Sequence, residues 1–223
     1  MTPTTRWRLT ALLATLVAAT ALSSCAVLIG GAVVGGSMVA IDRRTSGTQV
    51  EDQTIEVKAG NRVTEIVGDR GHVNVTSYAR LVLLTGEVPT EADKAAIEQA
   101  VARIENVRSV VNELVIGPPS SFSNRSNDTL ITSKVKASFV DAKDVQVNAY
   151  KVVTERGVVY LMGRVTEREA TRAADIARGV SGVRKVVKVF DIITEAELAN
   201  MQSSSAPPAA PVPAAAPASA VKP

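Results

Sequence analysis

The 223-residue chain has one cysteine, one histidine, one tryptophan and an aromatic content of only 3%. Each scarcity excludes a class of chemistry. His72, at the start of an expected strand, is the only imidazole available to activate a nucleophile, and no His/Cys/Asp cluster has metal-ligand spacing. Gly30-Gly31 and Gly35-Gly36 lack the strand-before, helix-after context of a phosphate loop. Acid pairs such as Asp141 with Asp144, or Glu167 with Glu169, read as solvated loop and helix-start charges. The chain therefore reads as non-enzymatic, with no cofactor and no metal. So few aromatics also remove the stacking platforms of single-strand nucleic-acid binders.

The lone Cys25 closes the tetrapeptide Leu22-Ser23-Ser24-Cys25. Before it come a positive stretch with Arg6 and Arg8, then an apolar run from Leu9 to Ala21. An ordinary secretory site is small-x-small, whereas here Leu22 precedes the serines and cysteine follows them. The arrangement resembles a bacterial lipobox, which implies removal of residues 1–24 as a signal peptide and a diacylglycerol on the Cys25 thiol. A spare cysteine is the alternative, but it has no internal disulfide partner and would be a liability in an oxidising compartment. Each buried acyl CH₂ contributes about 0.8 kcal/mol, and two chains make a stable anchor where one is marginal. Ala26 and Val27 follow the cysteine, where inner-membrane retention in such lipoproteins calls for aspartate, so the resemblance implies the outer membrane, facing the periplasm.

The formal charge of +3 conceals a division. Residues 118–200 carry 13 basic and 10 acidic side chains, residues 48–117 carry 7 and 11, and Arg6 and Arg8 leave with the signal peptide. The basic balance is no argument for nucleic acid, and the polarity between the halves matters more. Ala26 to Ile41 is apolar and glycine-rich but shorter than the ~20 residues of a spanning helix. We read 25–47 as a lipidated flexible tether, with a second membrane anchor as the alternative and Asp42-Arg43-Arg44 opening the soluble part. Residues 196–223 read as an Ala/Pro-rich disordered tail, a spacer in preference to a docking motif.

The centre of the chain contains one pattern twice. His72 to Tyr78 corresponds to Asp144 to Tyr150, Leu81 to Val88 to Val158 to Val165, and Val107 to Val111 to Val183 to Val187. In each unit a β-rich hairpin, turning at Glu155-Arg156-Gly157 in the second, precedes a helix opened by Thr90 and Asp93 or by Thr166 and Glu169. Ala92, Ala96, Ala100 and Ile104 recur at helical spacing, as do Ala170, Ala173, Ala174 and Ala177, predicting a small-residue face against a sheet. These helices stop at Asn106 and at Ser181-Gly182, and valine-rich strands follow. A strand–helix–strand passage implies a parallel pair. With helices expected at Gln53 to Val67 and Thr129 to Val140, each unit is α-β-β-α-β. The fold class is α+β, each unit a three-stranded mixed sheet packed against two helices, with domains at 48–117 and 128–195 joined by a linker at 118–127.

This pattern resembles the BON domain, whose signature is the apolar-x-Gly-x-Val turn at Gly86 and Gly163 and the later Gly-Val-x-x-Val, with Asn106 standing for the first glycine in unit one. Two such units behind a lipobox resemble the dual-BON outer-membrane lipoprotein (DolP, or YraP) family, as do Asp52 to Ile55 and Ser126 to Val135. Leu130 stands where the family typically has tryptophan. Ile131, Val135 and Phe139 form a core stripe on the helix from Thr129, and Leu130, Lys134 and Ala137 lie on its flank, pairing apolar contact with a cation that can snorkel. Lys136 projects elsewhere. By composition alone Lys134 and Lys136 read as a solvated face. The resemblance implies instead that Thr129, Leu130, Ser133, Lys134, Lys136 and Ala137 bind the anionic phospholipids phosphatidylglycerol and cardiolipin. It also implies a role in envelope integrity, concentrated at the division site. The equivalent helix of unit one carries Glu51, Asp52 and Glu56, which an anionic surface would repel. The alternative is a periplasmic interaction or chaperone-like assembly module for outer-membrane proteins, using exposed sheet edges and unit one as its docking domain, with envelope assembly or division proteins as partners.

Overall fold

The computed structural model describes residues 42–204. Residues 1–24, Cys25, most of the tether and the tail beyond 204 lie outside the described residues. Thr45, extended, accepts the Thr48 N–H on its side chain and so opens helix α1, Ser46–Val67. Its buried residues Asp52, Ile55, Ala59, Val63 and Val67 recur every three or four positions, giving one inward stripe. A two-residue turn joins β1, His72–Tyr78, to β2, Leu81–Val88. Helix α2, Glu91–Ala102, then crosses to β3, Ser109–Ile116, which pairs parallel to β2.

The second unit repeats this order. Helix α3 spans Phe122–Asp141, β4 Lys151–Glu155, β5 Val158–Val165, α4 Glu167–Arg178 and β6 Lys185–Ile192. Each sheet has its second strand in the middle, antiparallel to the first and parallel to the third. Thr90 caps α2 through the Asp93 N–H, and Thr166 with Glu169 forms a reciprocal capping box on α4.

Alternation along the central strands divides the core. In β2, Val82, Leu84 and Val88 face α1 and α2; in β5, Val159, Leu161 and Val165 face α3 and α4. The intervening residues face the other domain. Tyr78, Leu83, Tyr160, Met162 and Val189 form a third buried cluster between the two sheets, joined by Val111 and Val187. The two sheets thus stack face to face with all four flanking helices outside. Cross-domain bonds frame the stack: Asn74 Nδ2 donates to Glu155 at 2.8 Å, and Lys151 Nζ reaches Glu56 at 2.8 Å and the Ser77 carbonyl at 3.3 Å.

Several expectations need correction. Helix α3 starts at Phe122, inside the expected linker, because Ser121 caps it through the Asn124 N–H. Helix α1 and the ion-paired Asp42-Arg43-Arg44 occupy the end of the expected tether. The expected tail begins as a helix, α5, Glu195–Ser204, where Thr194 and Glu197 bond reciprocally and Leu198 is buried. Tyr78 matches Glu155, not Tyr150, since Tyr78 pairs with Leu81 as Glu155 pairs with Val158. The segment from Asp144 to Ala149 is a loop and one 3₁₀ turn, so the matching letters there reflect no shared structure. In α2 the inward residues are Ile97 and Val101, with Ala92 and Ala96 exposed. Both crossover helices end earlier, at Ala102 and Arg178, and Asn106 and Gly182 take positive φ in the turns that follow.

The signature glycines have a steric cause. A Cβ on Gly86 would collide with the His72 carbonyl oxygen, and one on Gly163 with that of Ala149. Gly163→Ala is therefore expected to cost about 1–3 kcal/mol in urea denaturation, since backbone must move to admit the methyl. Arg80, by contrast, occupies a left-handed turn position at φ 65° that glycine adopts freely. Arg80→Gly should raise the denaturation midpoint, gaining about 1 kcal/mol.

Candidate functional site

Each first helix is fastened to its hairpin by one buried aspartate. Asp52 accepts the N–H groups of Ala79 and Arg80, both at 2.8 Å, and the Ser77 hydroxyl at 2.7 Å. Asp128 accepts those of Arg156 and Gly157, both at 2.8 Å. All four turn residues have positive φ, the geometry of a type I′ turn, and three of them are not glycine. The carboxylates hold those strained turns with charge-assisted bonds and so fix the rotation of α1 and α3. Burial alone would push the Asp52 carboxyl up, but bonds from Ser77, Arg80, Arg44 and Ala79 outweigh it and hold it below the ordinary carboxylate range. Asp52 therefore belongs to the interior, not to a repelling acidic face, and Glu56 is engaged by Lys151 and the Ser77 N–H.

With Ile131, Val135 and Phe139 buried, α3 turns the opposite side to solvent. Thr129, Leu130, Ser133, Lys134, Lys136 and Ala137 are all exposed, Leu130 at 60%. They divide into two rows. Leu130, Lys134 and Ala137 run along one flank, where Lys134 and Ala137 line a shallow groove against Ile176 and Val180 near the end of α4. Thr129, Ser133 and Lys136 run along the other, and the two lysines stand ~160° apart around the helix. The hydroxyls of Thr129 and Ser133 are spent on the carbonyls of Arg125 and Thr129. Phe122 and Val140, exposed at 80% and 66%, stand at either end of the Thr129 row, on the outer face between the two lysines. Helical spacing from Thr129 joins both to that row, but the expected helix stopped short of Phe122.

Neither Lys134 nor Lys136 makes an ion pair among the described residues. Domain one differs at the corresponding groove. There Lys58 pairs with Glu105 at 3.6 Å and Arg62 with Glu65 at 2.7 Å, while Arg103 of the same groove makes no ion pair among the described residues. The outer face of α1 presents Val50 and Val57, with Glu51 beside them reaching Arg80 at 3.9 Å. Among the described residues no group of three or more His, Cys, Asp or Glu is placed to hold a metal, and no helix is long and apolar enough to cross a membrane.

Two stacked α-β-β-α-β units with glycine at the close approach of the first and second strands define a tandem BON protein, and the BON domain family matches residues 49–118 and 127–194. The chain is 43% identical over 173 residues to the outer membrane lipoprotein DolP of Haemophilus influenzae, covering 76% of this chain and 89% of that protein. It is 32% identical over 155 residues to a 21 kDa hemolysin of Actinobacillus pleuropneumoniae, covering 69% and 80%. It is 27% identical over 181 residues to the osmotically-inducible protein Y of Escherichia coli, covering 72% and 90%. The chain belongs to the BON-domain family and, within it, to the DolP outer-membrane lipoproteins. It is accordingly an envelope protein of the outer membrane, lipid-anchored and facing the periplasm.

The low-held Asp52 carboxyl sets an expected pH response. Its contribution is complete above the ordinary carboxylate range of about 4 and drains away as pH falls through the lower folded value. Asp52→Asn turns an amide N–H₂ toward N–H donors and should cost about 1–3 kcal/mol at neutral pH. The fall in Tm on acidification should be shallower in this variant than in the parent, measured by thermal melts across that range.

Proposed function

We propose that the outer face of α3 binds anionic phospholipid, phosphatidylglycerol or cardiolipin, while an acylated Cys25 holds the mature chain at the outer membrane. One observation carries the first part: two unpaired lysines flank the exposed outer face of this helix, whereas the two cations of α1, Lys58 and Arg62, are paired to glutamates. An apolar row flanked by cations matches a lipid interface, where alkyl stems lie among acyl chains and ammonium groups reach phosphate. Leu130 supplies less interfacial area than an aromatic residue would. Lys134 and Lys136 each contribute about 1 kcal/mol at an anionic surface, so contact is reversible and falls with salt.

In this reading residues 1–24 are a signal peptide, and the mature chain begins at a diacylated Cys25. Headgroup selectivity in α3 then directs an anchored protein toward membrane rich in anionic lipid, which accounts for a role in envelope integrity and at the division site.

Flotation of residues 42–223 with vesicles tests the lipid contact without the anchor. Vesicles containing phosphatidylglycerol or cardiolipin should carry the protein, and neutral phosphatidylcholine vesicles should not. Lys134→Glu reverses a charge and should weaken binding tenfold or more, as about 2 kcal/mol implies; Leu130→Glu should do the same, and raised salt should release the parent protein. Equal binding to neutral vesicles, or unchanged binding by both variants, would contradict the reading. Mass spectrometry of the mature N-terminus tests the acylation separately.

A further inference from the structure

Two consecutive arginines at the start of the described chain reach into different domains. Arg43 forks onto Glu169 of domain two, with Nη2 to Oε1 at 2.7 Å and Nη1 to Oε2 at 2.8 Å. It also donates to the Arg164 carbonyl at 2.9 Å and to Gln146 at 3.3 Å. Its side chain is 5% exposed and that of Glu169 13%. Arg44 turns the other way: it pairs with Asp52 of domain one at 2.9 Å and with Asp42 at 2.7 Å, and its guanidinium lies 4.2 Å over the Tyr78 ring. Tyr78 belongs to the cluster between the sheets.

The duplication shows that this arrangement is not needed to build a BON unit. Asp128 holds its hairpin turn with two backbone N–H bonds and no arginine. The segment before α3, Pro118-Pro119-Ser120, lies against Glu87 of the other domain through the Ser120 N–H, but it carries no cation. The arginines are thus an addition at the one end of the domain pair that faces the upstream chain. Bidentate Arg–carboxylate pairing, nearly excluded from water, is also a costly geometry to maintain for no purpose.

We infer that Asp42-Arg43-Arg44 is a clasp. Arg43 and Arg44 act as positioning residues: they close the seam between the two domains and fix the point at which the upstream segment joins the folded body. That point lies beside Gln146, in the loop following α3, so the clasp ties the upstream segment to the end of the helix assigned to lipid. The clasp itself rests only on the described contacts. Its bearing on membrane orientation rests on the acylation of Cys25, from which the 17 positions to Asp42 reach at most about 60 Å.

Trypsin reads the clasp directly. Between Cys25 and Arg43 there is no lysine or arginine, so the first cuts downstream of Cys25 fall after Arg43 and Arg44. A protease needs the segment detached, and it can peel away without unfolding either domain. In the full chain, cleavage at these bonds, followed by mass spectrometry, should be at least tenfold slower than in a free peptide spanning residues 39–49. Glu169→Gln keeps an acceptor for the Thr166 N–H but loses the charge, and it should speed the cut after Arg43 at least tenfold. Arg43→Lys keeps the charge and the cleavage site but not the fork, and it should also speed the cut. Thr166→Val removes the α4 cap without touching Arg43 and should leave the rate near that of the parent. The clasp is refuted if the parent is cut as fast as the peptide, if Glu169→Gln and Arg43→Lys are cut at the parent rate, or if Thr166→Val accelerates the cut as much as they do. These outcomes are scored on fragments beginning at Arg44 or Thr45, and so are independent of acylation.

Discussion

A three-stranded sheet with helices on one side has a second face, and that face must be covered. Here Leu83, Tyr160, Met162 and Val189 would stand in water if either domain were alone. Stacking the two sheets removes them from water together. The consequences run outward. Because the sheets occupy each other's open faces, every helix lies on the outside of the body, and α1 and α3 both turn a full flank to solvent. The two domains are thus bound into a single unit whose outer surface is mostly helix.

Duplication then allowed the two outer surfaces to diverge while the interior stayed fixed. The interior keeps its aspartates at 52 and 128, the close-approach glycines at 86 and 163, and the threonine caps at 90 and 166. The surfaces keep much less. Where Lys58 meets Glu105 in domain one, Lys134 has no acidic neighbour in domain two. A helix whose cations are already ion-paired, as Lys58 and Arg62 are on α1, has less to offer an anionic layer than one whose ammonium groups stand unpaired beside apolar surface. Part of the difference in net charge between the halves of the sequence is therefore expressed in a structural difference between two equivalent helices.

The architecture of each unit was legible because its signals are local. Period-two valines marked strands, Thr-x-x-Glu marked the start of α4, and Gly86 and Gly163 marked the same turn twice. Helix extents were less legible: Ser121 and Thr194 are caps that open α3 and α5, yet both sit in stretches whose proline and serine content suggested linker and tail. The register of the first strand was misread because His72 to Tyr78 resembles Asp144 to Tyr150 in letters while the second segment loops. Least legible were the long-range polar contacts. Nothing local to Asp42-Arg43-Arg44 indicates that Arg43 meets Glu169, since a partner 126 positions away is set by how the domains pack. The same holds for Glu169, which read as a solvated helix-start charge and is largely buried. The outer face of α3 was legible in residue type, and its extension to Phe122 and Val140 followed once the helix was complete.

Lipid contact through α3 alone requires that one two-domain body meet the membrane through a single face. Paramagnetic broadening by spin-labelled lipid in anionic bicelles, read at backbone amides, tests it most directly. Broadening should centre on residues 129–137 of α3, with the amides around Val50 and Val57 on α1 unaffected. Equal broadening of α1 and α3, or broadening confined to sheet edges, would contradict it.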